Sequence, residues 1–167
     1  MLFRLQIVHV GTLAFVLWLG AWSVGAQTEP PLVFILAGQS NMVGQGVTAE
    51  LTADQLITPP NVTYLMETGE TGLFDRVRFG PEVSLVPRLA QAWPDRELIF
   101  VKHAVGGTSL LAWAPEWDAA RAELTRNVEV GPLYTQLIAI LDRHELRGDA
   151  EIGAVFWMQG ESDARYP

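Results

Sequence analysis

The sequence contains no cysteine, which excludes disulfide bonds from its fold. Histidine is also scarce, at three residues, and one of them is His9 near the N-terminus, so no metal site is visible. Basic residues are few, with 11 Lys and Arg against 19 Asp and Glu and a net charge of −8. A nucleic acid is therefore not expected as a partner, because its phosphates require a basic face. The acidic excess needs no role beyond solubility.

Long hydrophobic runs are absent apart from one at the N-terminus, which extends from Ile7 to Val24 after Arg4. Together with the small residues that end at Ala26, this run predicts a secretory signal peptide over residues 1–26, cleaved before Gln27. The alternative is an uncleaved membrane anchor, because the run approaches the ~20 residues that span a bilayer. In either case the remaining chain is exported, so a secreted or periplasmic location is expected, with no membrane contact after cleavage.

Residues 27–167 are long enough for one domain with its own core, and they contain no repeat or low-complexity tract. The apolar run Leu32–Ala37 predicts a strand buried on both faces of a parallel sheet. Further strands are predicted at Val62–Met66, Leu98–Val101 and Ile152–Met158, and helices at Glu82–Trp93, Asp118–Thr125 and Pro132–Leu146. Alternating strands and helices indicate an α/β fold with a parallel sheet and right-handed crossovers.

Three of the predicted strands run into polar turns. The turns are Gly38-Gln39-Ser40-Asn41, Gly106-Gly107-Thr108-Ser109 and Gln159-Gly160-Glu161-Ser162-Asp163. Open parallel sheets bind ligands beyond the carboxyl ends of their strands, so we expect the three turns to meet at one edge, with Ser40 as a nucleophile. The alternative for Ser40 is that its hydroxyl caps the following helix, which is the commonest role of serine at a helix start.

A serine hydroxyl attacks an acyl carbon only when a base takes its proton and hydrogen-bond donors stabilise the resulting oxyanion. The backbone N–H of Ser40 is one candidate donor. The N–H of Gly106 or Gly107 is a second, because a residue without a β-carbon lets the backbone approach a substrate closely. The side-chain amide of Gln159 is a third. The simpler alternatives are ordinary turn glycines and, for Gln159, a buried amide that satisfies backbone groups.

The three motifs, in this order and each after a strand, resemble those of the SGNH hydrolases. Within that superfamily the sequence is similar to the sialate O-acetylesterase-like group, itself similar to carbohydrate esterase family six. The resemblance covers roughly residues 32–163 and implies a three-layer α/β/α sandwich of the flavodoxin-like type. It also places Gln159 where many SGNH hydrolases have an asparagine. It further implies an esterase that needs no cofactor and removes O-acetyl groups from a carbohydrate, either a sialic acid or a plant polysaccharide such as xylan.

Other polar and aromatic residues near the motifs have candidate roles. Asn41, Trp113 and Trp117 are possible contacts for a sugar, although core packing is the simpler explanation for both tryptophans. Glu161 and Asp163 resemble a glycosidase acid pair in composition, but proximity in sequence does not measure the separation of two carboxylates. We interpret Glu161 and Asp163 as groups that support the catalytic residues.

The catalytic base is the feature that the resemblance leaves unaccounted for. The family carries a histidine in an Asp-x-x-His block after the third motif, and no such block occurs in this sequence. Neither His103, at a strand end, nor His144, near a helix end, is expected to replace it. We therefore expect residues 27–167 to be the N-terminal part of a longer esterase, with a sheet that is incomplete on its C-terminal side. The alternative is an exported carbohydrate-binding module or pseudoenzyme of the same fold.

Overall fold

The computed structural model describes residues 29–67, 69–70, 72–73, 76–148 and 150–165. The signal peptide predicted over residues 1–26 lies outside these ranges. Within them, no helix has both the length and the apolar character required to cross a membrane.

Four helices and seven strands make up the described chain. The strands are β1 (Leu32–Gly38), β2 (Gly46–Val47), β3 (Val62–Met66), β4 (Gly69–Glu70), β5 (Arg78–Phe79), β6 (Leu98–Ala104) and β7 (Glu151–Met158). The helices are α1 (Ser40–Val43), α2 (Glu82–Ala92), α3 (Ala119–Glu123) and α4 (Leu133–Arg143). Short 3-10 turns occupy Thr48–Glu50, Asp54–Leu56, Leu110–Trp113 and Asp163–Arg165.

The main sheet has the strand order β4-β3-β6-β1-β7, in which β3, β6, β1 and β7 are mutually parallel. Strand β4 pairs antiparallel with β3, and β2 and β5 form a separate antiparallel pair. Strand β1 lies between β6 and β7, so that Ile35 is in register with Val101 on one side and Val155 on the other. The carboxyl ends of β6, β1 and β7 therefore lie at one edge of the sheet, as the sequence predicts.

Helices cover both faces of this sheet, which makes the fold an α/β sandwich. Alternate residues of β1 point to opposite faces: Val33 and Ile35 pack with residues of α4, whereas Phe34 and Leu36 pack with residues of α2. Every residue of β1 is buried. The two core clusters confirm the prediction that this apolar run is a strand covered on both sides.

Most predicted boundaries hold within a few residues. The predicted strand at Val62–Met66 is confirmed, and the helix predicted at Pro132–Leu146 is found at Leu133–Arg143, with Pro132 at its N-cap. The helix predicted over 118–125 is the shorter α3, which begins after Asp118 because the Asp118 carboxylate accepts the N–H of Arg121 at 2.9 Å.

The prediction that the strand beginning at Leu98 ends at Val101 was wrong. Strand β6 continues to Ala104 and includes two polar residues, Lys102 and His103, which are 2% and 3% exposed. Lys102 remains in the buried strand because it is paired with a carboxylate, Glu82. A buried charge costs much less free energy when it is paired in this way.

Candidate active site

The turn that carries Ser40 begins where β1 ends. Gly38 has a φ of +146°, and a β-carbon there would overlap the Met158 carbonyl oxygen of β7, so only glycine suits this position. The N–H of Gln39 then donates to the same carbonyl at 2.8 Å. The chain enters the one-turn helix α1 at Ser40, and α1 closes with the Gly44 N–H donating to the Ser40 carbonyl at 2.9 Å.

The hydroxyl of Ser40 does not cap this helix. The N-cap residue is Gln39, and no side-chain hydrogen bond caps the helix. Ser40 is half-buried, and no described residue forms a hydrogen bond with its Oγ. The capping alternative is therefore wrong, and the structure leaves the hydroxyl available for another partner.

The turn at Gly106 and Gly107 lies directly beside Ser40. The two turns are joined by a hydrogen bond from the Val105 N–H to the Gly38 carbonyl, at 3.1 Å. A β-carbon on Gly106 would lie 3.8 Å from Cβ of Ser40, whereas one on Gly107, whose φ is +74°, would meet no atom within 4 Å. The first two motifs thus meet at the predicted edge of the sheet.

Several backbone N–H groups in these turns have no acceptor among the residues that the structure describes, and those of Ser40, Gly106 and Gly107 are among them. Unpaired donors around an acyl carbon are what an oxyanion hole requires, and losing one typically lowers the rate by about a hundredfold or more. The arrangement is chemically suited to stabilise a negative charge that develops next to the Ser40 hydroxyl.

Gln159, the third predicted donor, is engaged elsewhere in this structure. Its side-chain amide donates to the Thr108 carbonyl at 3.1 Å and also to the carboxylate of Asp163. An amide nitrogen has two protons, and these two bonds use both. An oxyanion role for Gln159 stays a prediction, and it requires one of the two bonds to be exchanged when substrate binds.

Glu161 bridges the residues on either side of Ser40. Its carboxylate accepts a hydrogen bond from the Gln39 amide at 2.6 Å and another from the Asn41 amide. The Ser162 N–H lies 3.4 Å from the Gln39 side-chain oxygen, which adds a longer contact between the same two turns. Glu161 therefore supports the Ser40 turn, while contact between Asn41 and substrate stays a prediction.

Asp163 links the third motif to the second. Its carboxylate oxygens lie 3.0 and 3.2 Å from the Leu110 N–H, which follows the glycine turn, and it also accepts from Gln159. Glu161 thus accepts hydrogen bonds from the Ser40 turn, and Asp163 accepts one from the segment after the glycine turn. Their role in supporting catalytic residues stays a prediction.

The two tryptophans differ in exposure. Trp113 is 6% exposed, and its ring packs edge-on against Trp157 and His103 at centroid distances of 5.0 and 5.4 Å. Its Nε1 lies 3.3 Å from the Thr108 hydroxyl. Core packing therefore describes Trp113, and its contact with a sugar stays a prediction. Trp117 is half-buried against Gly131, and its stacking role stays a prediction.

Sequence reasoning missed a buried ion pair beneath the Ser40 turn. The Lys102 ammonium donates to a Glu82 carboxylate oxygen at 2.7 Å and to the carbonyl of Val43, the last residue of α1, at 3.0 Å. Burial lowers the pKa of Lys102, and the Glu82 carboxylate opposes that shift. The available signal was a lysine directly after the apolar run Leu98–Val101, because a lysine buried in a strand requires an acidic partner.

Neither described histidine is hydrogen-bonded to Ser40. His103 faces the α4 side of the sheet, where burial lowers its pKa and the nearby Glu67 carboxylate opposes that shift. His144 follows the last residue of α4, and its Nε2 is buried without a partner among the described residues. The described ranges also contain no group of three or more His, Cys, Asp or Glu residues that could hold a metal ion.

The parallel sandwich, with the serine turn at the carboxyl edge of its sheet, is shared with the solved structure of a carbohydrate acetylesterase. A family model described as "Carbohydrate esterase, sialic acid-specific acetylesterase" matches residues 30–167, and the chain belongs to this family. The resemblance inferred from the three motifs is thereby confirmed. Among curated proteins, no sequence match was found.

Three solved structures to which this chain is similar show how much of each relative's length it spans. A protein from Arabidopsis thaliana matches with a TM-score of 0.58 and 22% identity, over 80% of this chain and 59% of its own. A carbohydrate acetylesterase from Xanthomonas citri matches with a TM-score of 0.52 and 19% identity, over 79% and 33%. NanS matches with a TM-score of 0.45 and 16% identity, over 81% and 56%. This chain thus spans less than two thirds of each relative.

Proposed function

We propose that this protein is a serine esterase that removes O-acetyl groups from carbohydrates, with Ser40 as nucleophile. The observation that supports the proposal most strongly is the Ser40 hydroxyl, which is unpartnered among the described residues and lies beside the unpaired N–H groups at Gly106 and Gly107. Membership in a family described as a sialic acid-specific acetylesterase supports an acetylated sugar as the substrate class. A sialic acid is one candidate, and an acetylated plant polysaccharide is the other that the motif resemblance implies.

The proposed reaction has two steps. In the first, Ser40 Oγ attacks the acetyl carbon while a base takes the hydroxyl proton, and the carbonyl oxygen becomes an oxyanion held by the unpaired N–H groups. The bond to the sugar oxygen then breaks, and the sugar leaves as an alcohol after receiving that proton. In the second step, water attacks the acetyl-serine by the same path, releasing acetate and restoring Ser40.

We propose that a histidine acts as the base, as the resemblance implies. Neither His103 nor His144 is hydrogen-bonded to Ser40, so this role is assigned to neither of them. We further propose that residues 1–26 direct export, so that the enzyme acts outside the cytoplasm. Detecting the cleaved N-terminus at Gln27 by mass spectrometry would test the export proposal.

The proposed function is tested by measuring acetate release from an O-acetylated sialic acid and from acetylated xylan. The protein encoded by the full reading frame is compared with its Ser40→Ala variant, for which we expect a rate loss of about 1,000-fold or more. Ser84→Ala is the matched control, because Ser84 is exposed on α2, and it should retain the wild-type rate.

Two results would reject the proposal. Unchanged hydrolysis in Ser40→Ala would remove Ser40 from the mechanism. Binding of the acetylated sugar without any acetate release by the wild-type protein would favour a carbohydrate-binding module or pseudoenzyme instead.

A further inference from the structure

The Lys102–Glu82 pair connects three parts of the chain beneath the Ser40 turn. Lys102 is on β6, Glu82 is the first residue of α2, and the Val43 carbonyl to which Lys102 also donates is the end of α1. Both side chains are almost fully buried, at 2% and 4% exposure. An interior cation with two oxygen partners fixes the distance between the elements that carry those oxygens.

The segment before α2 packs closely against the same end of α1. Glu82 accepts the Gly80 N–H at 3.0 Å through the oxygen that also receives the Lys102 ammonium. A β-carbon on Gly80 would lie 2.7 Å from the Met42 carbonyl oxygen, and one on Gly44 would overlap the Phe79 backbone. The C-terminal end of α1 is thus enclosed by this segment and joined to β6 by the lysine.

Helix α1 needs such support because it is one turn long. A single turn of four residues is unstable alone, since forming the first turn fixes several dihedral angles for one hydrogen bond. Its N-terminal end is fixed by the Gln39 N–H bond to β7, at 2.8 Å. The other end is held by the Lys102 ammonium, which also has a favourable charge for a helix C-terminus.

Stability alone does not account for the pair. Replacing a buried ion pair with apolar residues of similar volume is often neutral or stabilising, because both charges lose their hydration when buried. A role in fixing geometry is the better explanation here. Lys102 lies four residues before Gly106 on the same segment, so one strand positions both the Ser40 helix and the candidate donor.

We propose that Lys102, paired with Glu82, is a positioning residue that holds the end of α1 so that Ser40 faces the Gly106 turn. Lys102 does not contact the reacting atoms. The kinetic consequence of this proposal rests on the proposed function of Ser40, whereas the structural consequence does not. The tests therefore include a measurement that is independent of esterase activity.

The first test uses the unmodified protein and amide hydrogen exchange. The N–H groups of Val43 and Gly44 donate to the carbonyls of Gln39 and Ser40, each at 2.9 Å. If Lys102 holds α1, these two amides should be protected on the order of 100-fold relative to an unfolded chain. Exchange at the unfolded rate would overturn the proposal, since an isolated turn behaves in that way.

The second test removes both charges together by combining Lys102→Met with Glu82→Gln, because a single change leaves the partner buried and unpaired. Arg96→Met combined with Glu151→Gln is the matched control. The Arg96 guanidinium lies 2.5 Å from the Glu151 carboxylate, and this ion pair is at the opposite edge of the sheet, where β6 and β7 begin. We expect the Val43 and Gly44 amides to exchange about tenfold faster or more in the first double variant only, with β1 amides unchanged.

Two outcomes of this comparison would overturn the proposal: wild-type exchange at Val43 and Gly44, or an equal acceleration of all amides, which indicates a general loss of stability. If the first double variant does not fold, the measurement on the unmodified protein decides alone.

The kinetic test separates positioning from substrate binding in the full-reading-frame protein. We expect kcat to fall about 10- to 100-fold in the Lys102→Met, Glu82→Gln variant, with KM changed by less than about twofold. An unchanged kcat in the folded variant would contradict positioning. If the wild-type protein itself releases no acetate, the proposed function fails, and the exchange measurements still decide the structural claim.

Discussion

Strands β1 and β7 are neighbours in one sheet and are both mainly apolar, yet their surroundings differ. The seven residues of β1 are all buried. On β7, in contrast, Ile152, Val155 and Trp157 are 46%, 57% and 42% exposed. The difference arises because β1 pairs on both sides, whereas β7 pairs only with β1 among the described strands. Apolar composition thus indicates a strand without indicating whether it is central or at an edge.

The same difference applies to the turns that follow the two strands. The Ser40 turn is enclosed by β6, β7 and the segment before α2. The turn at residues 159–163 is joined to the other motifs mainly by side chains, through the amide of Gln159 and the carboxylates of Glu161 and Asp163. Changes near β1 should therefore alter stability more than changes after β7 do, and changes to side chains after β7 should mainly alter the geometry of the site.

The largest difference is expected between the glycines at the ends of the two strands. Gly38 and Gly160 have similar φ angles, +146° and +150°, but an added β-carbon overlaps the Met158 backbone at Gly38 and meets nothing at Gly160. We expect Gly38→Ala to destabilise the protein by about 4 kcal/mol or more, and Gly160→Ala by about 1–3 kcal/mol from backbone strain alone. Chemical unfolding measures both, and equal losses would contradict the enclosed position of Gly38.

A second pair of variants compares the same substitution on the two strands. Val33 on β1 is 0% exposed, and Val155 on β7 is 57% exposed. Val33→Ala should reduce the free energy of unfolding by about 2 kcal/mol, because it removes buried methyl groups and leaves a cavity. Val155→Ala should reduce it by less than about 0.5 kcal/mol. A loss at Val155 that equals the loss at Val33 would show that β7 is covered in solution.

Removing the carboxylate that bridges the two turns tests the role of side chains after β7. Glu161→Ala should lower kcat for acetate release about tenfold, equivalent to about 1.4 kcal/mol, because Gln39 and Asn41 lose their common partner. The melting temperature should change little, because Glu161 is exposed. Asp142→Ala, at a surface ion pair on α4, is the control and should retain the wild-type kcat. A fall in stability without a fall in kcat would contradict this role.

The smallest expected effect is on the pH dependence of stability, and it arises at His103. This residue is on the interior strand β6, in register with Ala37 of β1. Burial lowers the pKa of His103 below its usual 6.5, so the unfolded chain binds a proton that the folded protein does not. Stability is therefore unaffected above about pH 6.5 and decreases as the pH falls below it. Melting temperatures between pH 7.5 and 5.5 should decline less steeply for His103→Gln, and identical slopes would contradict the effect.

The central strands and helices were predictable because an apolar run or an apolar period in the sequence reflects burial directly. The strand at residues 62–66 and the run that became β1 are found where the sequence places them. The extension of β6 through Lys102 and His103 was not predictable, because the acidic partner, Glu82, is distant in sequence. The exposure of β7 was equally inaccessible, since it depends on which strands are adjacent.

The candidate site was predictable in its location and only partly in its contacts. Strand ends in a parallel sheet bring the Ser40 and Gly106 turns together, as the motifs indicate. The engagement of both Gln159 amide protons depends on side-chain orientation, which no spacing encodes. The same holds for the Lys102 bond to the Val43 carbonyl, which joins a strand to a helix 59 residues earlier.

The most direct test of the account is to identify the residue that a serine-directed fluorophosphonate modifies in the full-reading-frame protein. Mass spectrometry of the inactivated protein should find a single adduct on Ser40, and the Ser40→Ala variant should remain unlabelled and inactive. An inactivated protein that carries its adduct on another serine, with Ser40 unmodified, would contradict the assignment of Ser40 as the nucleophile.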